Sequence, residues 1–192
     1  MKKNERLEIF KLELSFIKDA DVRKFTELCL SQLPDYFFQV PASSTGKYHP
    51  KFSLGDGGLV RHTQCAVRLA NELLNIDMFI PLVSDRSYII ASLILHDGLK
   101  HGNPMKPYTT HEHPIEVSEF IMNLAKTKDE KSIAIMLGEL IKSHMGQWTT
   151  NKRSKVVLPK PTNKRQNLVH LCDLIVSRKL WDDFYPNIQR GV

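Results

Sequence analysis

Much that would assign this chain to a familiar class is missing from its sequence. There are only three cysteines, Cys29, Cys65 and Cys172, with no CxxC pair among them. Each falls in an apolar segment, where a free thiol behaves as a small buried hydrophobe. A reduced, cytoplasmic protein is therefore expected. No run reaches the roughly 18 consecutive apolar residues of a membrane span. The charged start Met-Lys-Lys-Asn-Glu-Arg is followed by no apolar stretch of signal-peptide length, so no membrane partner is expected. Internal repeats, low-complexity tracts and the apolar-polar alternation of strands are absent too. Acidic residues are in the minority, 21 against 27 Lys and Arg. The resulting net charge of +6 favours phosphorylated or polyanionic partners.

What is present is helical periodicity in an ordinary globular composition, 42% hydrophobic and 25% charged over 192 residues. One all-α domain is expected, a single bundle of about six to eight helices. N-terminal helices and a Pro-rich loop would occupy 1–57, and the helical core 58–182. Amphipathic spacing predicts helices over 5–18 and 20–33, then from Gly58 to Leu74. Ser84 or Asp85 is placed to cap the next helix, whose body Tyr88-Ile89-Ile90-Ala91-Ser92-Leu93-Ile94-Leu95 is apolar almost all round. It ends in His96-Asp97, with Gly98 as the expected terminator. Further stripes run from His113 through Leu124, from about Asp129 through His144, and through a last helix containing Leu168, Cys172 and Ile175.

Charge placement then singles out a set of residues. Asp97 stands at the end of a buried helix, where burial and the negative helix pole both disfavour a carboxylate. Asp173 is embedded in Leu171-Cys172-Asp173-Leu174-Ile175-Val176. A metal ion offsets such charges directly. His62, His113 and His144 each lie on the inward stripe of a different helix, and imidazole with carboxylate suits divalent transition metals. His111 competes with His113 for a ligand role. Periodicity favours His113, because Pro114 suits a first helical turn.

The ordered set His62, His96-Asp97, His113, His144 and Asp173 resembles the HD-domain metal-dependent phosphohydrolases. The run His96-Asp97-Gly98-Leu99-Lys100 is similar to that superfamily's His-Asp-x-Gly-Lys signature, with the glycine and its neighbour exchanged. A closer resemblance is to the HD domain of YhaM-type 3′→5′ exoribonucleases. It rests on Pro41-Ala42 with His49, Gly57-Gly58-Leu59-Val60-Arg61-His62-Thr63, Ser143-His144-Met145-Gly146, Val157-Leu158-Pro159-Lys160 and His170-Leu171-Cys172-Asp173. That family's OB-fold and the second histidine of its His-His pair have no counterpart here.

The resemblance implies metal ligands His62, His96, Asp97, His113, His144 and Asp173. They would hold two divalent ions, Mn, Fe, Ni, Co or Zn sooner than Mg, with Asp97 as the bridge. The implied activity is hydrolysis of a phosphoester in a nucleotide or short single-stranded nucleic acid. Asp97, Lys100 and His170 are the expected catalytic residues, Lys100 as a phosphate-facing cation. His101, His111 and His170 are candidates for proton transfer or ligand orientation. Substrate contacts are expected from His49, Lys100, His111, Trp148, Lys152, Arg153 and Lys160, with Trp148 and Tyr108 both able to stack a base. Trp181 and Phe184 would pack or form a self-association surface for a homo-oligomer. Two alternatives stand beside this: a mononuclear nucleotidase or triphosphohydrolase using His62, His96, Asp97 and Asp173, and a non-catalytic, metal-stabilised nucleotide-binding module.

Overall fold

Caps and close packing decide where the helices of this chain begin and end. The computed structural model describes residues 1–47, 49–180 and 182, so Trp181 and Phe184 lie outside the described residues. Among these are eight α-helices and no strand: α1 (Lys3–Ile9), α2 (Lys11–Ser15), α3 (Ala20–Gln32), α4 (Gly58–Leu73), α5 (Arg86–Leu95), α6 (His113–Leu124), α7 (Lys128–Lys142) and α8 (Lys164–Val176). The all-α bundle expected from periodicity is what is found.

Side chains close several helix starts. Asp19 accepts from the amides of Asp21 and Val22 at α3, and Asn163 from that of Gln166 at α8. At α7, Thr127 and Glu130 form a reciprocal capping box. Each such cap is worth about 1 kcal/mol. α4 begins differently. Gly57 takes φ 67°, and a Cβ on Gly58 would stand 2.2 Å from the carbonyl oxygen of Ser53, so the pair admits no larger residue. Arg61 then ties the preceding loop to the helix by donating to the carbonyls of Phe52, Leu54 and Asp56.

α5 is the axis of the bundle, packed against α3, α4, α7 and α8. Ile89, Ile90, Leu93, Ile94 and Leu95 are all fully buried in it. The segment Asp77–Leu95 has the length and mean hydropathy, 1.5, of a membrane span, but half of it is buried in the core. It is also two elements, because a 3-10 stretch carrying Pro81 covers Asp77–Asp85 before α5 begins.

Three local expectations are corrected. The helix predicted over 5–18 breaks at Phe10, whose fully buried ring packs 6.0 Å from that of Phe37. No side chain caps α5, and the Asp85 carboxylate pairs instead with Arg165 at 3.2 Å. Gly98 is no left-handed terminator, since it is not among the positive-φ glycines. It is small because a Cβ there would lie 2.6 Å from Leu33 Cδ2.

Candidate metal centre

The end of α5 meets α4, α6, α7 and α8 at one buried cluster. α4 brings His62, and α6 brings His113 in its first turn. His144 follows the end of α7, and α8 contributes Asp173. His96 and Asp97 extend from the last turn of α5. All of these side chains are buried except that of Asp173, which is 19% exposed. All six residues expected as ligands are thus brought together.

Asp97 divides the cluster. Its Oδ2 lies 3.4 Å from His96 Nε2 and 3.9 Å from His62 Nε2, with Asp173 Oδ1 completing that side at 3.6 Å from His96 and 2.9 Å from His62. Its Oδ1 lies 3.1 Å from His113 Nε2 and 3.8 Å from His144 Nε2. His62, His96, Asp97 and Asp173 make one group able to hold a metal ion, and Asp97, His113 and His144 make another.

Three of the histidines are aimed by their own backbone. His96 Nδ1 meets the carbonyl of Leu93 at 2.7 Å, His113 Nδ1 that of Thr110 at 2.6 Å, and His144 Nδ1 that of Ile141 at 2.8 Å. A carbonyl only accepts, so each Nδ1 carries the proton and each Nε2 is left to face the cluster. The consequence is severe between His113 and His144, whose Nε2 atoms stand 3.2 Å apart. With both rings neutral that tautomer would oppose their lone pairs, so the pair needs a shared proton or a positive ion between them. His96 Nε2 is buried with no hydrogen-bond partner, a costly state that an ion would also end. The donor set of imidazoles and carboxylates therefore fits divalent transition metals.

His62 is the exception. Its Nε2 hydrogen-bonds Asp173 Oδ1, and its Nδ1 is buried without a partner. The ring of His49 lies 5.2 Å from it, edge on, which carries the Pro-rich loop to the rim of the cluster.

The electrostatics follow from this packing. Burial pushes the Asp97 carboxyl up, but Lys100, His96 and His113 override it and hold its pKa well below the ordinary value. Asp173 is likewise pushed up by burial and brought far down by its hydrogen bond with His62 and by the charge of the nearby His96. Burial opposes charge on His96 as well, yet the Asp97 and Asp173 carboxylates raise its pKa to about 10. His144 goes the other way, to about 3, through burial and the neighbouring His96 and His113. Burial, with Lys100 and His62, lowers His49 to about 3.

The remaining expected residues are distributed around this centre. Lys100 is 8% exposed, and its ammonium sits 2.5 Å from Asp97 Oδ2. His170 donates from Nδ1 to the carbonyl of His144 at 2.7 Å, and its ring packs on Gly146. It thus touches the turn that presents a ligand. His111 holds the Val156 carbonyl at 3.2 Å, outside the cluster, and the neighbouring Glu112 carboxylate accepts from Ser154, so both pin the basic loop. His101 is buried with Nδ1 on the carbonyl of Lys106. Trp148 and Tyr108 are exposed, as are Lys152, Arg153 and Lys160.

Sequence reasoning missed the three carbonyls that aim the histidines. Each lies three residues before its ring, a helical-turn relation that the sequence spacing does contain. It also missed the stacking of Arg178 on Trp148, with the guanidinium 5.4 Å from the ring centroid. Nothing local signals that contact.

Fold and site together define an all-α protein with a buried His/Asp cluster that can hold metal ions. The chain matches no family model, no curated protein and no solved structure with which it was compared.

Proposed function

We propose that the chain is a divalent-metal-dependent phosphohydrolase of the HD-domain type, acting on a phosphoester of a nucleotide or short single-stranded nucleic acid. The observation that supports this most is the division of Asp97. One buried carboxylate offers Oδ2 to His62 and His96 and Oδ1 to His113 and His144, as a bridge between two cations would. His62, His96, Asp97 and Asp173 would hold one ion, and Asp97, His113 and His144 a second. When bound, divalent ions supply Lewis acidity at a phosphoryl oxygen and a lower pKa for an attacking water.

The chain's own groups do the rest. The backbone carbonyls of Leu93, Thr110 and Ile141 hold each Nδ1, so each Nε2 faces the cluster before any ligand arrives. Lys100 is poised on Asp97 Oδ2. Once that oxygen is engaged elsewhere, the ammonium is free to meet a non-bridging phosphoryl oxygen. His170 acts as a positioning residue, through the carbonyl of His144. His49 at the rim and the exposed Lys152, Arg153 and Lys160 supply positive or hydrogen-bonding surface for a phosphorylated substrate.

Purified protein reloaded with manganese is expected to release product from bis-p-nitrophenyl phosphate and from members of a nucleotide panel, and Asp97→Ala to abolish both. If wild type and Asp97→Ala are equally inert while nucleotide binding persists, the chain is a binding module. One ion per chain, with His113 and His144 unligated, would leave the mononuclear reading instead.

A further inference from the structure

Trp148 is 44% exposed. It is nevertheless held in place. The Arg178 guanidinium lies 5.4 Å over its ring, and the His170 ring meets it edge on at 6.1 Å. The turn that carries it is equally fixed. Gly146 takes φ 62°, a Cβ there would stand 2.1 Å from His170 Cε1, and the Trp148 amide donates to the Met145 carbonyl at 3.2 Å. Because His170 also holds the carbonyl of His144, the indole is braced against the same turn that presents a candidate ligand. It is therefore a rigid aromatic face beside the buried cluster.

The surroundings select what would lie on that face. From Leu140 to Cys172 the chain has seven Lys and Arg and no Asp or Glu. A hydrogen bond from the Leu158 amide to the Thr149 carbonyl, 2.8 Å, folds the later limb of this segment back against the residue that follows Trp148. The charged side chains of this stretch are all cationic, and the nearby Glu112 carboxylate is engaged by Ser154. A flat ring joined to an anion matches both features. We infer that Trp148, braced by Arg178 and His170, is a nucleobase-stacking subsite. It places the base of a nucleotide while the attached phosphate reaches the His/Asp cluster; only this last clause rests on the phosphohydrolase reading.

A binding test needs no turnover. Trp181→Phe leaves Trp148 as the only tryptophan, and its fluorescence in the manganese-loaded protein is expected to be quenched saturably by AMP but not by ribose 5-phosphate. In kinetics, Trp148→Ala should raise KM for a dinucleotide roughly ten- to a hundredfold, the usual loss when a stacking ring is removed. Its kcat should change less than about twofold. Trp148→Phe should recover most of the loss, and an abasic analogue should be insensitive to the substitution. An indole blind to AMP, or an unchanged dinucleotide KM in Trp148→Ala, overturns the subsite. A wild type that quenches with AMP yet hydrolyses no phosphoester upholds the subsite and overturns the hydrolase reading.

Discussion

On the Oδ2 side of Asp97 stand a second carboxylate, two imidazoles and the Lys100 ammonium; on the Oδ1 side, among the described residues, stand His113 and His144 alone. The first side is rich in charge, and its two carboxylates are already engaged, Asp173 by His62 and Asp97 by Lys100. Its His96 is held protonated by those carboxylates up to about 10. The second side has no carboxylate of its own and a His144 kept neutral down to about 3. A divalent ion held by the first group would have to displace the His96 proton and the Lys100 ammonium, whereas one held by the second would meet two neighbouring imidazoles and no competing cation. Two carboxylates would give the Oδ2 side the higher final affinity, whereas the Oδ1 side would accept an ion with less displacement.

The most damaging test of this asymmetry is Asp97→Ala, which removes the group both sides share. Loss of both ions is expected by metal analysis. Phosphoester hydrolysis should fall by at least about a hundredfold, since a single electrostatic contact in an active site is commonly worth roughly 10²–10³. Next come the substitutions that separate the sides. Asp173→Asn should empty the Oδ2 side and leave one ion at His113 and His144, while His144→Ala should do the reverse. If either variant loses both ions together, the two sides are one cooperative site and the comparison fails.

Much of this centre was legible beforehand, for a physical reason. Metal ligands on helices must occupy the inward stripe, so the period that marks the core also marked His62, His113 and His144. Asp97 and Asp173 stood out because carboxylates in apolar surroundings need a partner. What escaped was decided by contacts between distant elements. Gly98 looks like a helix stop in sequence, but its size is set by Leu33. His111 and His113 differ by two residues, yet one holds the loop carbonyl of Val156 and the other faces Asp97. Asp85 has the chemistry of a cap and spends it on Arg165 instead. Local pattern predicts which face is buried; it does not predict which neighbour arrives there.

The pH dependence sharpens the comparison with a smaller effect. His96 has a folded-state pKa raised from 6.5 to about 10. The stability it gives the metal-free chain is fully present below 6.5 and lost as pH rises through about 10. An ion on its side must expel that proton, so affinity there should climb about tenfold per pH unit between these limits. His144, lowered to about 3, has no proton to lose across the same range and adds no slope on the Oδ1 side. Manganese titrations of Asp173→Asn and of His144→Ala from pH 6.5 to 9 check this. Equal slopes for the two variants would remove the asymmetry.

The smallest expected change comes from His170, which touches no candidate ligand atom. It holds the carbonyl of His144 at 2.7 Å and packs on Gly146, so His170→Ala releases the turn that presents His144 while leaving all six candidate ligands in the chain. Outer groups that orient a ligand are commonly worth ten- to a hundredfold in metal affinity, and a loss of about tenfold, on the Oδ1 side alone, is expected. His170→Gln, which retains a donor, should recover part of it. Because His170 and Asp173 lie three residues apart on α8, a general loosening of that helix would weaken the Oδ2 side as well. Calorimetric titration that resolves the two ions separates these outcomes: loss confined to the weaker ion marks His170 as a positioning residue for His144, and equal loss at both marks a structural one.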